Sequence, residues 1–476
     1  FQCSTAGPEQ DSSLVIPANK RLLRTMASGV GALLPTAYAS SVEVFDHPAK
    51  GRCLRSLVQR QPGDVVLRED AIATAPDLRF ERIEGRVVHF IEHECFHCSG
   101  SLAGACAWPC EEGCDFTFCS PACGARHAEV HRAECAYVDA LAALGARECV
   151  EASRLLLASR VAAASADAEQ GERVALLEGS CAALKAQAGV LVAAFERIEA
   201  AASAPDFVQA DEGFELEPCM VQAEMLCKVQ VNCVSLPGPA FRSVSALLSG
   251  ASLCAHSCRP NCHVAHEGAG VVALRVVALI APGEEVTISY LGDLGGSGED
   301  RRTELARTRF FVCACERCGS ASEAERWDSA PEERREVLAR ASHEVLVERE
   351  MEFMKDLTDL LGGSPDAVAL QAGRVAWRTL RAQFHVDDEI REILVALEPL
   401  FETCLPLYHP IKAQMYLEHA RILATHGGDE AEFLRCCTAA QANADICFGP
   451  GSVEAETMKE AMISGQTEQD FRAAVW

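Results

Sequence analysis

Positive charge is scarce in this chain of 476 residues, where 43 lysines and arginines stand against 69 aspartates and glutamates. The formal net charge of -26 disfavours nucleic-acid binding through a broad basic face and favours a cationic partner, such as a lysine- and arginine-rich protein tail. Long apolar runs are also missing, since none reaches the roughly 18 residues that a membrane-spanning helix needs. We therefore expect neither a membrane segment nor direct nucleic-acid binding.

A closed disulfide framework is not indicated either. The 25 cysteines are an odd number, and they are clustered. No secretory signal is visible. The chain begins with Phe1 rather than methionine, which indicates a truncated or processed chain from which a signal or transit peptide could have been lost. Clustered cysteines without such a signal favour zinc over disulfides and disfavour a secreted disulfide protein.

The texture of the sequence predicts an α+β protein of roughly two to four domains. Short β-branched runs separated by turn residues predict strands, whereas alanine- and leucine-rich stretches with helical spacing predict helices. The predicted segments are 1–40 (disordered), 41–94 (strands), 95–135 (cysteine block), 136–227 (helices), 228–292 (strands), 293–320 (a second cysteine group) and 321–476 (helices). We interpret the two strand segments as one β domain that is interrupted by an insertion.

The block at 95–135 contains four pairs of zinc-type ligands. A tight turn can direct two ligands to one ion when they lie two to four residues apart, and four tetrahedral ligands complete a structural site. The pairs are Cys95/Cys98, Cys110/Cys114, Cys119/Cys123 and His131/Cys135, with Cys106 as a rival ligand. They predict two zinc ions. Buried structural cysteines are the alternative, but they do not account for this spacing.

A third cysteine group, "CACERC", places Cys313, Cys315 and Cys318 close together. Three ligands leave a tetrahedral zinc site one short, so a fourth must come from elsewhere in the chain. The stretch "LCAHSCRPNC" at 253–262 offers candidates, and "GEEVTISY" follows at 283–290.

These motifs resemble known families. "CSPAC" and "HRAEC" have the distances of a MYND finger, while "HSCRPN", "GEEVTISY" and "CACERC" resemble a SET domain with its post-SET zinc motif. Together they resemble the SMYD family from about Val42 to the end of the chain. The resemblance implies a β-rich SET domain interrupted by a MYND zinc finger and a helical insert, followed by an all-α, TPR-like C-terminal domain.

The resemblance also implies three zinc sites. The interleaved MYND pairing would join Cys95, Cys98, Cys119 and Cys123 at one ion, and Cys110, Cys114, His131 and Cys135 at the other. Cys258 would complete the site of Cys313, Cys315 and Cys318. A free buried Cys258 thiol is the alternative.

In function, the resemblance implies an S-adenosylmethionine-dependent protein-lysine N-methyltransferase that acts on histone or other lysines. Tyr290 matches the catalytic tyrosine of the family, although without the motif a core aromatic would be the preferred interpretation. The implied cofactor contacts are Arg52, Asn232, His256, Tyr290 and Phe311.

Two residues depart from the family pattern at the cofactor pocket. Cys53 stands where the family has a glycine that lets the backbone approach the cofactor, and Ala255 stands where it has an asparagine. Losing one buried hydrogen bond costs roughly 1–3 kcal/mol, which weakens binding without necessarily abolishing it. A weakly active or inactive adaptor that recruits partners through its zinc finger is therefore the alternative function. The finger also departs from the family pattern at two places. "CEEGC" stands where the family usually has Cys-x-x-Cys, and Ala128 replaces the tryptophan that usually precedes the final histidine.

The C-terminal stretch 409–447 predicts a helix, an "HGGD" turn and a second helix. It resembles a TPR-type unit, with an ordinary helical hairpin as the alternative. The family implies a protein substrate with a basic, lysine-containing segment, proline-rich partners of the MYND finger, a monomer, and a location in the nucleus, the cytoplasm or both.

Overall fold

The fold is seen in a computed structural model. It describes residues 33–76, 79–83, 86–90, 95–98, 102, 108–109, 116–128, 134, 149–177, 223–237, 243–268, 270–292, 294, 296, 298–319, 373–374, 377, 387–426 and 429–464. Several predictions lie partly or wholly outside these residues: the disorder of 1–32, the helices of 136–148, 178–222 and most of 321–386, and the second zinc site of the finger with its rival ligand (Cys106, Cys110, Cys114, His131, Cys135). Within the described end of the predicted disordered segment 1–40, Thr36–Tyr38 form a 3-10 helix and Leu33 is buried.

Short strands make up the described parts of 41–118 and 233–290. They are β1 Val42–His47, β2 Gly51–Ser56, β3 Val65–Asp70, β4 Ala73–Ala75, β5 Arg79–Ile83, β6 Arg86–Phe90, β7 Trp108–Pro109, β8 Thr117–Phe118, β9 Val234–Pro237, β10 Ser243–Leu247, β11 Ala255–His256, β12 Cys262–Gly268, β13 Val271–Val276 and β14 Thr287–Ile288.

Two three-stranded sheets combine strands from both sides of the insertion. One has the order β12-β13-β3 and the other β4-β10-β9, and every pairing in them is antiparallel. Three further antiparallel pairs are β1 with β2, β5 with β6 and β7 with β8. Because β3 and β4 precede the insertion while their partners follow it, the β domain is one unit interrupted along the chain, as predicted.

The central strand β13 is buried on both faces. Val272, Ala273, Leu274 and Val276 are all fully buried. A strand with one solvated face would alternate apolar and polar residues, whereas "VVALRV" is almost continuously apolar, as expected where both faces are covered. A C-terminal helix packs on this strand and covers the second face.

Helices occupy the insertion and the C-terminal part. They are α1 Pro121–Ala128, α2 Cys149–Ala164, α3 Ala168–Leu176, α4 Ala223–Asn232, α5 Gly298–Arg309, α6 Glu316–Gly319, α7 Asp387–Cys404, α8 Pro410–His426, α9 Glu430–Cys447 and α10 Val453–Ser464. The α8/α9 pair falls where the sequence predicted a helical hairpin. None of the helices within the described ranges is long and apolar enough to cross a membrane.

Two arginines connect the β domain to the C-terminal helices. Arg275 of β13 donates from Nε to the Ile446 carbonyl oxygen at 3.1 Å, and Arg259 donates from Nη2 to the Thr403 carbonyl oxygen at 2.5 Å. Both acceptors lie in the last turn of a helix, where carbonyl groups lack intrahelical partners and attract positive charge. These contacts fix α7 and α9 against the strands that carry the site described next.

Candidate functional site

The stretches 253–262 and 283–290, which the sequence analysis singled out, lie side by side in the structure. β11 and β14 pair in parallel, with Ala255 opposite Thr287 and His256 opposite Ile288. Asn261 Nδ2 donates to the Glu285 carbonyl oxygen at 2.9 Å, and its Oδ1 accepts from the Thr287 amide at 2.8 Å. An asparagine side chain can satisfy both a donor and an acceptor of the neighbouring backbone. This pairing places the end of β14 directly beside His256.

Tyr290 is held by two hydrogen bonds to the 253–262 loop. Its hydroxyl donates to the Cys254 carbonyl oxygen at 2.5 Å, and its backbone amide donates to His256 Nδ1 at 3.0 Å. The two rings lie 5.4 Å apart. Burial raises the pKa of Tyr290 well above the usual tyrosine value, and burial lowers the pKa of His256 to about 4. Both side chains are therefore neutral near pH 7, and Tyr290 acts as a hydrogen-bonding group rather than a phenolate.

Phe311 completes an aromatic corner with these two rings. Its ring meets that of Tyr290 edge-on at 6.2 Å and lies 6.1 Å from that of His256. The preceding residue, Phe310, has a φ of 62°, which is unusual for a residue other than glycine. This turn directly follows α5 and directs Phe311 to Tyr290, so the structure brings together three of the predicted site residues.

Asn232 and Arg52 lie on neighbouring elements and contact other backbone groups. Asn232, the last residue of α4, donates from Nδ2 to the Lys228 carbonyl oxygen at 2.8 Å within its own helix. Arg52 on β2 donates from Nη2 to the Leu176 carbonyl oxygen at 2.6 Å. Lys228 Nζ also reaches the end of α3, at 2.8 Å from the Val174 carbonyl oxygen. The roles of Asn232 and Arg52 as cofactor contacts stay predictions.

The two residues that depart from the family pattern are both buried. Cys53 has an exposed fraction of 2% and Ala255 of 8%. Cys53 lies opposite Phe45 in the β1/β2 hairpin and is part of a regular strand. The backbone at this position is therefore extended, a conformation that any residue can adopt.

Four cysteines of the finger converge on one point. The sulfur atoms of Cys95, Cys98, Cys119 and Cys123 all lie within 4.8 Å of one another. Cys98 Sγ is 3.8 Å and Cys123 Sγ 3.5 Å from Cys119 Sγ. Tetrahedral zinc with bonds of about 2.3 Å places its sulfur ligands roughly 3.8 Å apart. The donor set therefore fits zinc. Within it, a hydrogen bond from Cys98 lowers the pKa of Cys95 to about 4, whereas burial raises the pKa of Cys119 to about 11.

A second set of four cysteines joins the 253–262 loop to the end of the β domain. The sulfur atoms of Cys258, Cys313, Cys315 and Cys318 lie within 4.8 Å of one another, and those of Cys258 and Cys318 are 3.5 Å apart. Hydrogen bonds among the four thiols lower the pKa of Cys315 and Cys318 and raise the pKa of Cys258. The buried Arg301 lies with Nη2 3.8 Å from Cys318 Sγ and supplies positive charge beside these thiols. This set also fits zinc.

Arg160, which the sequence analysis missed, links the finger to the β domain. From α2 it forms a bidentate ion pair with Glu134, with nitrogen–oxygen distances of 2.9 and 2.7 Å. It also donates to the carbonyl oxygens of Thr74 on β4 at 2.8 Å and Phe96 in the finger at 2.9 Å. Only the folded chain brings these groups together, and nothing in the local sequence marks the residue.

A cleft of about 550 Å³ lies between the β11/β14 pair and the end of α7. Ser257 and Thr287, the neighbours of His256 and Ile288, line one side, and Leu405 and Leu407 line the other. Its lining contains four glutamates and one arginine: Glu284, Glu285, Glu316, Glu402 and Arg259. Leu279 and Leu407 are 55% and 56% exposed. The cleft is therefore acidic with apolar edges.

Comparison with known proteins finds relatives with similar sequences. Similar proteins include "Histone-lysine N-methyltransferase SMYD3" of Mus musculus, 36% identical over 22% of this chain and 24% of that protein, and "N-lysine methyltransferase SMYD2" of Homo sapiens, 42% identical over 16% and 17%. "Histone-lysine N-methyltransferase ASHR2" of Arabidopsis thaliana is 26% identical over 62% of this chain and 76% of its own length.

The SMYD3 and SMYD2 matches thus span a quarter or less of each relative. A solved structure, described as "Crystal structure of the SET domain of LSMT bound to Lysine and AdoHcy", is 13% identical and covers 94% of this chain and 95% of its own, but its TM-score of 0.29 supports no structural argument. The relatives confirm the predicted SMYD resemblance. The model of the family described as SET domain matches residues 51–291, about half of the chain, and the chain therefore belongs to the SET-domain family.

Proposed function

We propose that the protein is an S-adenosylmethionine-dependent protein-lysine N-methyltransferase. The main support for this proposal is the group of residues that we call the Tyr290 corner. In it a buried, neutral tyrosine donates a hydrogen bond to the Cys254 carbonyl oxygen and packs against His256 and Phe311. It lies within the stretch that matches the SET-domain family. Relatives named as lysine methyltransferases support the same activity.

The cofactor, when bound, supplies a methyl group on a positively charged sulfur. The residues proposed to hold it are Arg52, Asn232, His256, Tyr290 and Phe311. Aromatic faces such as Phe311 attract cationic groups, and a neutral His256 adds no competing charge. Cys53 and Ala255 are the positions at which affinity is expected to be lower than in the family pattern.

The transfer is an in-line displacement, in which alignment is the main requirement. The donor, when bound, would supply its methyl carbon to the lysine nitrogen, with the electron pair of the carbon–sulfur bond left on sulfur, and the methylated amine would release a proton to solvent. Tyr290 orients the amine through its hydroxyl, and the buried surroundings favour the neutral amine because desolvation lowers the pKa of lysine.

We propose that the two described cysteine sets hold structural zinc, and that a third ion binds the predicted set outside the described residues. A site with four protein ligands has no open position for substrate. The Cys258 set would fix the 253–262 loop and the chain after α5, which are the two segments that form the Tyr290 corner.

The proposed substrate is a protein segment that presents a lysine among basic residues, in histones or other proteins. The formal charge of -26 and the glutamates of the cleft beside α7 support this class. Proline-rich partners of the finger, a monomeric state, and a nuclear or cytoplasmic location are proposed from the family resemblance alone. The alternative is an adaptor that no longer turns over, which the substitutions at Cys53 and Ala255 favour.

Isothermal titration of the zinc-loaded protein with S-adenosylmethionine tests the proposal. We expect micromolar binding, followed by incorporation of labelled methyl groups into mixed histones. A folded protein that does not bind the cofactor would contradict the methyltransferase function and favour the adaptor.

A further inference from the structure

A permanent positive charge is buried against Tyr290. The Arg309 guanidinium carbon lies 5.3 Å from the centre of the Tyr290 ring, and the residue is only 8% exposed. Arginine stays protonated in proteins. The lysine methylation proposed above assigns no role to this cation. The Arg309 guanidinium nevertheless lies beside Tyr290, where the proposed methyl transfer moves a positive charge from sulfur to nitrogen.

Three neighbouring groups fix the position of this guanidinium. Arg309 Nη1 donates to the carbonyl oxygens of Gln230 at 3.1 Å and Val231 at 3.0 Å, in the last turn of α4, and lies 3.9 Å from Cys233 Sγ. Helix ends attract cations to their free carbonyls. Because Arg309 is also the last residue of α5, it joins α4, α5 and Tyr290 at one point.

The other titratable groups around Tyr290 do not neutralise this charge. Cys254 and Cys53 are buried thiols, and burial raises the pKa of Cys254 well above its usual value. His256 on β11 lies with Nε2 3.3 Å from Cys258 Sγ and brings no carboxylate to this corner. Glu285, from the turn before β14, forms an ion pair with Lys50 at 2.5 Å. The cation of Arg309 therefore acts on this corner without a carboxylate bonded to it among the described residues.

We propose that Arg309 is a specificity-determining residue of the methyl-transfer site: its fixed positive charge favours neutral over cationic groups beside the Tyr290 hydroxyl. This inference rests on the proposed function. The acceptor lysine would enter as the neutral amine, and the neutral thioether product would bind more tightly than the cationic sulfonium donor. Repulsion between two unit charges several ångströms apart in a protein weakens the binding of a cationic ligand, relative to a neutral one, by about tenfold or more.

The test compares binding of S-adenosylmethionine and S-adenosylhomocysteine, which differ by one methyl group and one positive charge. Isothermal titration would be run on the wild type, Arg309→Gln, Arg309→Lys and the control Arg307→Gln. Arg307 lies on the same helix, is 69% exposed in its side chain and pairs only with Glu304 among the described residues. The readout is the ratio of the two dissociation constants, so it does not depend on turnover.

We expect the wild type to bind S-adenosylhomocysteine about tenfold or more tightly than S-adenosylmethionine. Arg309→Gln should lower this preference by about tenfold, whereas Arg309→Lys and Arg307→Gln should keep it within about threefold. If Arg309→Gln weakens both ligands by the same factor, its role is purely structural and the inference is wrong. If that variant does not fold, a wild type that binds both ligands equally well overturns the inference by itself.

A second readout uses the enzyme–substrate complex. The pH dependence of kcat reports groups in that complex, and removing a cation raises the pKa of the bound amine. The acidic limb of the kcat profile on histones should move to higher pH in Arg309→Gln by about one unit. A wild type that binds neither ligand contradicts the proposed function itself, whereas normal binding with an unchanged ratio contradicts only the role of Arg309.

Discussion

The Tyr290 hydroxyl donates a hydrogen bond to the backbone carbonyl oxygen of Cys254 at 2.5 Å. This bond connects the end of the GEEVTISY segment to the loop that carries His256 and Cys258. The hydroxyl keeps its own lone pairs free to accept from an amine, because its single hydrogen is already used. In the proposed methyl transfer, the same bond would set the direction in which a substrate amine approaches.

Replacing Tyr290 with phenylalanine removes the hydroxyl, and two measurements report its effects on turnover and on stability. We expect turnover on histones to fall by about a hundredfold, in the range of a lost positioning or proton-transfer group. The Cys254 carbonyl oxygen would lose its partner, so the free energy of unfolding should fall by about 1–3 kcal/mol. Radiolabelled methyl transfer and urea unfolding measure the two effects. Unchanged turnover in a folded variant would exclude Tyr290 as the catalytic tyrosine.

The sequence predicts those parts of the site whose residues lie only a few positions apart in the chain. The spacing of Cys95 and Cys98, or of Cys119 and Cys123, reflects a single turn, and the structure brings these ligands together. The strands around β11 and β14 were likewise predicted from short β-branched runs and turn residues, and the α8/α9 hairpin from two helical stretches around a turn. Resemblance to a family added Cys258, which no local spacing could have connected to Cys318.

Contacts that join distant segments could not be predicted. Arg309 and Arg160 form hydrogen bonds to backbone carbonyl oxygens of other elements, and a carbonyl group is present at every residue. An arginine in a helix gives no local sign of which carbonyl it will reach. The position of Asn232 was predicted, but its hydrogen bond to Lys228 within α4 depends on a rotamer that the sequence does not reveal.

Asn232→Ala tests whether this residue contacts the cofactor. We expect S-adenosylmethionine affinity to fall about tenfold to a hundredfold, because a buried polar group would lose one partner. Stability should change little, since alanine is a better helix former than asparagine. Isothermal titration measures the affinity.

Asn443→Ala is the matched control, because Asn443 donates the same type of bond, to the Ala439 carbonyl oxygen at 2.8 Å in α9. It also accepts from the His409 amide, so this variant should lose about 1–2 kcal/mol of stability and keep its cofactor affinity. Equal affinities in both variants and the wild type would remove Asn232 from the cofactor site.

Cys318→Ser should remove one metal ion. A hydroxyl is a poor replacement for a thiolate ligand, and the remaining Cys258, Cys313 and Cys315 leave the tetrahedron incomplete. We expect elemental analysis to show one fewer zinc per chain than in the wild type, together with a lower melting temperature. Cys437→Ser is the control, because Cys437 lies on α9 outside both described sets and should leave the zinc content unchanged. Equal zinc in all three proteins would contradict the assignment.

Arg160→Gln should destabilise the contact between the finger and the β domain. Arg160 and Glu134 are 10% and 11% exposed in their side chains, and removing one partner of a buried pair costs about 3–5 kcal/mol. Arg173→Gln is the control, because its partner Glu169 is 72% exposed, and such pairs contribute about 0.3–0.5 kcal/mol. Urea unfolding measures both. A similar small loss in the two variants would show that Arg160 does not connect the finger to the sheets.

His263 should make stability depend on pH. Its ring meets that of Phe448 edge-on at 5.7 Å, where β12 packs against the chain after α9, and burial lowers its pKa to about 4. The ordinary histidine value is about 6.5, so the unfolded chain binds this proton first as the pH falls. Stability is therefore complete above about pH 6.5 and is lost between there and pH 4, by up to about 3 kcal/mol.

His263→Gln isolates this effect from that of other buried histidines, such as His256. The difference in unfolding free energy between wild type and variant should shrink as the pH falls through that interval, and urea unfolding at half-unit steps of pH measures it. Parallel stability curves for the two proteins would mean that His263 gains protons equally in the folded and unfolded chains. In that case the junction between β12 and the C-terminal helices would be open enough to solvate a charged ring.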